Sequence, residues 1–344
     1  IRRAGFLKGN CVIHNGMKLI NSYSQIISDE NLWLAWRTFR SGKGRREDVR
    51  LFGRQLEANL LNLRREFADH SYQHGPYRSF VVQDPKRRLI HVPSVRDQVV
   101  HQAVWNILFP FFNARFSPSA TSCRPKMGTS AARFVIRRWG KDRSVNFVLH
   151  MDVVKCFDSI GHETLQNQLA YWIECPETMV LLNRIIRSFS SDRGIPLGNL
   201  TSQLFCNVVF MNFDRRLDST VGTGNWVRYA DDVFICGVSR EQLQLTMGMV
   251  TSVLAASGLS CRTEIKPYHG FEALGARWFH GGFQSVARPT RFRALQLAFR
   301  RSNAYINGEY SQKSLRSTFD SLRGLAVDDL RWTKQVRNAI LEAV

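Results

Sequence analysis

Apolar residues recur at three- and four-residue spacing through residues 28–67, a period that predicts two helices. Ser28 is placed to cap the first, with Asp29 and Glu30 in its opening turn and Leu32, Trp33, Trp36 and Phe39 on one stripe. A basic, Gly-broken loop follows at Ser41–Arg46, and the second helix carries Val49, Phe52, Leu56, Leu60, Leu63 and Phe67. Ser79–Gln83 and Leu89–Val92 predict two strands joined by the charged turn Asp84–Arg88. Ser94 then caps a helix reaching about Phe112, with Val95, Val99, Val104, Ile107 and Leu108 inward and Arg96 near its start. Val145–Leu149 predicts a buried strand with Asp152 at its end. A Gly/Pro-rich stretch, Arg193–Gln203, leads into a helix that buries Leu204, Phe205, Val208, Val209, Phe213 and Leu217. Two short apolar runs, Asn225–Tyr229 and Val233–Cys236, flank Asp231-Asp232 and predict a β-hairpin with the doublet at its turn. Ser239–Ala256 is an amphipathic helix with Leu243, Met247, Val250 and Leu254 inward, Cys261–Lys266 an edge strand, and three short helices follow from Arg288.

Composition narrows what such a chain meets. Lys and Arg number 48 against 28 Asp and Glu, a formal net charge of +20, which favours polyanionic phosphate backbones. A hydrophobic content of 44% supports a folded core, so the charge does not belong to a disordered basic tail. At 344 residues two or three modules are expected. Seven cysteines with no C-x-x-C pair point away from a disulfide framework or zinc ribbon and toward core thiols in a reducing, cytoplasmic setting. No apolar run approaches the roughly 18–20 residues of a membrane span, and no secretory signal opens the chain. Residues 1–21 show little periodicity and are left as an unassigned extension.

The chemistry concentrates at the carboxylates. Adjacent anions such as Asp231 and Asp232 repel, and a bare pair is most often a solvated turn. An independent acid at a strand end changes that reading. Asp152 with Asp231 and Asp232 makes three carboxylates, enough to hold two metal ions about 3.5–4 Å apart for in-line nucleotidyl transfer.

Asp152 five residues before Phe157, followed much later by Tyr229-Ala230-Asp231-Asp232, resembles the palm of a reverse transcriptase. The resemblance covers roughly residues 22–344 and implies an α+β right-hand polymerase. Its fingers would span 22–144, its palm 145–287 with part of the fingers interleaved, and its small helical thumb 288–344. It also implies an RNA-directed DNA polymerase using two Mg²⁺ ions, with Mn²⁺ as a substitute. Asp152, Asp231 and Asp232 become the catalytic and metal-holding residues. Phe157 becomes a steric gate against a ribose 2′-OH, and Lys86 and Arg88 the basic fingertip hairpin that grips the incoming triphosphate. Arg124 and Lys126, in a Cys-Arg-Pro segment, are candidate nucleic-acid contacts, equally readable as surface charges. Arg291, Arg293 and Arg300 would track the template–product duplex. Lys266 is weighed as a general acid toward the leaving pyrophosphate against an ordinary surface lysine, and Phe271–Trp278 resembles the primer-grip hairpin with Ala276 in place of an aromatic.

The stretch Gly194-Ile195-Pro196-Leu197-Gly198 matches the Gly-x-Pro-x-Gly loop that in this family packs against the nascent base pair, making Leu197, Gly198 and Gln203 nucleotide or nucleic-acid contacts. Group II intron enzymes have Gln between that Pro and Gly and end the motif in Ser-Pro. Leu197 and the ending Thr201-Ser202-Gln203 resemble instead the enzymes of bacterial and phage diversity-generating retroelements, which copy template RNA with errors at adenines. An apolar Leu197 cannot donate the hydrogen bonds a Gln could. The resemblance further implies template RNA, RNA/cDNA duplex and dNTPs as partners, with a small basic accessory protein and no membrane. The rivals are an intron-like, retron-like or phage-defence reverse transcriptase, a non-catalytic RNA-binding protein, and an RNA-dependent RNA polymerase, against which Phe157 argues.

Overall fold

The computed structural model describes residues 18–83, 87–190, 192–325 and 330–341. In chain order the elements begin with helices α1 (Ser22–Ile26), α2 (Asp29–Arg40), α3 (Glu47–Arg54) and α4 (Leu56–Ala68), then strands β1 (Arg78–Val82) and β2 (Arg88–Val92). Next come α5 (Val95–Asn113), α6 (Thr129–Lys141), β3 (Phe147–Val153), α7 (Cys156–Ser159), α8 (His162–Trp172), α9 (Pro176–Arg187), α10 (Leu200–Val209) and α11 (Met211–Thr220). The remainder comprises β4 (Trp226–Tyr229), β5 (Asp232–Gly237), α12 (Arg240–Ala256), β6 (Cys261–Pro267), β7 (Glu272–Ala273), β8 (Ala276–Phe279), β9 (Phe283–Val286), α13 (Arg288–Ile306), α14 (Gln312–Arg323) and α15 (Leu330–Leu341). Helices and antiparallel sheets are mixed, so the chain is α+β as expected.

Two compact units form, each from several chain segments. The first takes the chain up to Phe116, Val154–Asn212 and Ala256–Leu259. Its helices α1, α2 and α10 pack on the long α5, whose Val99, Val100, Ala103, Val104 and Leu108 are fully buried. Ser28 and Ser94 cap α2 and α5 as their sequence positions predict, each side-chain oxygen accepting from a backbone N–H three residues on.

Two expectations here need correction. Trp33 is 49% exposed, because the buried stripe of α2 runs Leu32, Trp36, Phe39 and Trp33 falls on its margin. The helix expected over Val49–Phe67 is two helices, broken at Gln55. The Asn59 side-chain amide donates to the carbonyl of Phe52 at 2.9 Å, satisfying a group the break frees, and Phe52 packs on Trp36 with ring centroids 5.2 Å apart.

The second unit takes Ser117–Val153, Phe213–Ala255 and the chain from Ser260. Its centre is an antiparallel sheet in the order β4-β5-β3-β6. On one face of β3 Leu149, Met151 and Val153 are almost fully buried, and on the other Val148 is buried while His150 and Asp152 are half-buried, as suits a central strand that opens toward one end of one face. One core joins α6 (Ile136, Trp139) to Val148, Phe234, Tyr268 and Trp278, tying the sheet to the smaller sheet β7-β8-β9. A separate cluster, centred on Trp332, Val336, Ala298 and Leu322, holds α13, α14 and α15 together. Arg133 of α6 donates through Nε and Nη2 to the Leu274 carbonyl (3.0 and 2.6 Å) and through Nη1 to that of Leu325 (2.8 Å). One side chain thereby ties the β7–β8 turn to the end of α14's loop.

Candidate active site

The site is built on the turn between β4 and β5. Ala230 adopts a left-handed conformation (φ 57°), costly for a residue with a Cβ, and the hairpin closes through it so that Asp231 lies in the turn and Asp232 opens β5. The turn is held from below by Arg228, which is fully buried. Its Nε and Nη2 donate to Oδ1 and Oδ2 of Asp214 on α11 at 2.8 and 2.6 Å, a two-pronged pair, while Nη1 donates to the Ala230 carbonyl at 3.1 Å. The Arg228 carbonyl accepts from both the N–H and the hydroxyl of Thr121, so the Thr121–Gly128 loop is stitched to the same strand.

Register decides which side chains share the face. Residues opposite one another in an antiparallel ladder point to the same side. Tyr229, Asp232, Asp152 and Arg262 therefore form one row across β4, β5, β3 and β6. The next row on that face is Val227, Phe234, His150 and Glu264. Asp152 thus lies one residue inside the end of β3, directly opposite Asp232, with Cα atoms about 4.5–5.5 Å apart by ladder geometry. Directly opposed like charges destabilise a strand pair. That opposition suits a divalent cation, which is commonly held by one or two carboxylates together with substrate phosphates. Among the described residues no three His, Cys, Asp or Glu side chains are grouped to hold a metal by themselves. Burial, with the Asp152 carboxylate adding to it, pushes the neighbouring Cys261 thiol up, so the thiol is protonated beside the acids.

The motifs single out neither His150 nor Arg262, two further members of this face. His150 Nε2 donates to Asp232 Oδ1 at 2.8 Å, and its ring stacks on Phe234 at 4.7 Å. Arg262 is exposed opposite Asp152. The period of two along β3 places His150 with Asp152, and would have found it. Lys266 stands opposite Val148, four residues from the Arg262 position, and its Nζ lies 2.8 Å from Glu264 Oε2. That favours the surface-lysine reading over the general acid.

The nucleotide-loop residues gather in the first unit. Ile195 N–H donates to the Phe157 carbonyl at 2.9 Å, and His91 N–H on β2 donates to the Leu197 carbonyl at 2.8 Å. Gly198 has φ +118°, and a Cβ there would stand 2.6 Å from the His91 carbonyl oxygen, so only glycine lets the loop approach β2 this closely. Phe157 is half-buried on α7, Arg88 is exposed at the start of β2, and Gln203 is exposed in the first turn of α10. Gly198, Asn199 and Gln203 line a cavity of about 210 Å³ with His101 and Lys43. Lys86 lies outside the described residues.

The basic candidates of the second unit divide. Arg124 Nη1 donates to the carbonyls of Ser117 and Ala120 (2.6 and 2.7 Å), a loop-holding arrangement, whereas Lys126 is exposed. On α13, Arg293 and Arg300 are exposed two turns apart on one face, and Arg291 is half-buried on another.

Residues 83–264 match the family described as reverse transcriptase (RNA-dependent DNA polymerase). More than half of the chain lies in that match, and the protein belongs to this family. Its α+β, right-hand polymerase fold class stands with that membership.

Among curated relatives, the putative COX1/OXI3 intron 2 protein of Saccharomyces cerevisiae is 26% identical over 67% of this chain and 30% of its own length. The putative COX1/OXI3 intron 1 protein of the same yeast is 25% identical over 48% of this chain and 21% of its own length. Protein YkfC of Escherichia coli is 25% identical over 47% of this chain and 46% of its own length. The chain thus spans less than half the length of each of these relatives. The structure of telomerase from Candida tropicalis in complex with the TWJ fragment of telomeric RNA aligns with a TM-score of 0.47, 11% identity, and coverage of 77% of this chain and 55% of that one. No helix among the described residues is long and apolar enough to cross a membrane.

Proposed function

We propose that this protein synthesises DNA on an RNA template by metal-assisted nucleotidyl transfer. The observation that carries the reading is the placement of Asp152 opposite Asp232 beside the tight Ala230-Asp231 turn, in a chain of net charge +20. Asp152, Asp231 and Asp232 would together hold Mg²⁺, or Mn²⁺ in its place. Two such ions, when bound, supply a lowered pKa at the primer 3′-OH and charge neutralisation at the triphosphate. The chain's own residues do the rest. Arg228 and Asp214 keep the turn closed, and Phe157 rejects a ribose 2′-OH by volume. The Leu197-Gly198 loop packs on the nascent pair, with Arg88 and Gln203 as further nucleotide contacts. Arg293 and Arg300, with Arg291, bind duplex phosphates. In this reading fingers, palm and thumb occupy residues 22–144, 145–287 and 288–344. The protein works in the cytoplasm with template RNA, dNTPs and a small basic accessory protein.

Within the family, Leu197 and Thr201-Ser202-Gln203 support a diversity-generating enzyme that misreads template adenines. The intron proteins among the relatives favour a second reading, an intron-type reverse transcriptase. The test is primer extension on RNA with Mg²⁺, omitting each dNTP in turn, beside the Asp231→Ala/Asp232→Ala double variant. Extension by the wild type alone supports the polymerase, and synthesis by the double variant overturns it. Read-through at template adenines without dTTP selects the mutagenic reading, and equal arrest at every omission selects the intron-type one.

A further inference from the structure

We propose that His150 is a positioning residue for Asp232, an inference that rests on the polymerase reading of the same site. Asp232 is 39% exposed in its side chain, so nothing in its burial confines the carboxylate to one rotamer. Its partner does. His150 Nε2 lies 2.8 Å from Asp232 Oδ1, and a carboxylate only accepts, so the ring carries its proton on Nε2 and donates. The ring is in turn held in place through its neighbours. It stacks on Phe234 at 4.7 Å with an interplanar angle of 11°, Phe234 is 2% exposed within the core, and β3 is hydrogen-bonded on both sides, to β5 and β6. Rigidity is therefore handed from the core through Phe234 and His150 to one oxygen of Asp232.

The consequence is a carboxylate held in one orientation. Oδ1 accepts from the imidazole, and a divalent cation at this face would be held by Asp152 together with the Asp232 carboxylate so oriented. Outer contacts of this kind orient a ligand before the metal arrives, and losing one typically costs about 10–100-fold in metal affinity or activity. His150 does not touch substrate in this account. It acts only by limiting where the Asp232 carboxylate can point, and Glu264, its register partner on β6, is drawn away toward Lys266.

The experiment compares the full-length wild type with His150→Gln, which keeps an amide donor near the place of Nε2, His150→Leu, which keeps bulk without a donor, and His150→Asn, whose amide is too short to reach. Mn²⁺ binding is measured by calorimetry with Mn²⁺ alone as the probe. kcat and the dNTP KM are then measured separately in primer extension. His150→Leu and His150→Asn should weaken Mn²⁺ binding and lower kcat by about tenfold or more with the dNTP KM within about threefold, and His150→Gln should restore most of both. Melting temperatures identify any variant that fails to fold. If His150→Leu does not fold, the contrast between His150→Asn and His150→Gln decides.

Equal Mn²⁺ affinity across all four proteins overturns the inference, as does a wild type that binds no Mn²⁺ or a His150→Gln no better than His150→Asn. A wild type that binds Mn²⁺ but never extends a primer overturns the polymerase reading instead, and the Mn²⁺ affinities still decide the role of His150.

Discussion

In the proposed function a single residue, Phe157, carries the choice of sugar. It sits half-buried on α7 with its carbonyl fixed by the Ile195 N–H, so its ring is presented from an anchored backbone. Replacing it with Ala should raise ribonucleotide incorporation about tenfold or more, the effect of losing roughly 1.4 kcal/mol of discrimination. Competition between a dNTP and its matching NTP in primer extension measures this, and unchanged sugar selectivity removes Phe157 from the gate. His101 makes a different prediction. It is buried between His74 and Thr201, and burial, aided by His74, lowers its pKa to about 3. An unfolded histidine titrates near 6.5, so below that pH the unfolded chain takes up a proton that the folded one refuses. Its contribution is complete above about pH 6.5 and declines as pH falls from there toward 3. The urea midpoint should therefore drop between pH 7.5 and 5, and drop less in His101→Gln. The effect at His101, unlike the gate, was not legible in the sequence, because a histidine's neighbours across 27 and 100 residues of chain are set only by folding.

At the scale of elements, the hairpin, the β3 strand and the capped helices were legible, since each is written in a local period and a local cap. What escaped was whatever depends on a distant partner. The break at Gln55 interrupts a continuous apolar stripe, and Phe52, just before it, packs on Trp36 brought in by another helix. Arg228 likewise looks like one more basic residue beside the doublet until Asp214 is found facing it. Removing one member of a buried pair leaves an unpaired charge without water, so Asp214→Leu or Arg228→Met should destabilise the protein by about 3–5 kcal/mol. Urea denaturation checks this. Because the same guanidinium holds the Ala230 carbonyl, primer extension should fall in these variants even at temperatures where they remain folded.

For the molecule as a whole, an excess of 20 positive charges means that, in the proposed function, much of the hold on nucleic acid is counterion release. The logarithm of affinity for an RNA/DNA duplex should fall linearly with the logarithm of salt concentration. Arg293→Ala and Arg300→Ala should each reduce that slope by about 1 without altering preference among sequences. Filter binding from low to moderate salt measures both, and a slope unchanged in the double variant removes α13 from the duplex contact.

The sheet order β4-β5-β3-β6 also sets a clock. β3 leaves the ribosome with neither neighbour made, and its second partner, β6, follows about a hundred residues later. At roughly 5–20 residues per second, both edges of the strand bearing Asp152 stay open until β5 follows about 80 residues on, on the order of 4–16 s, and one edge stays open until β6. Through that interval its apolar sequence, Phe147 to Val153, is available to any other strand nearby. The central position that brings the two acids together is thus also the chain's period of greatest exposure to misassembly. Yield of active protein should depend on translation speed and on chaperones that shield a nascent strand.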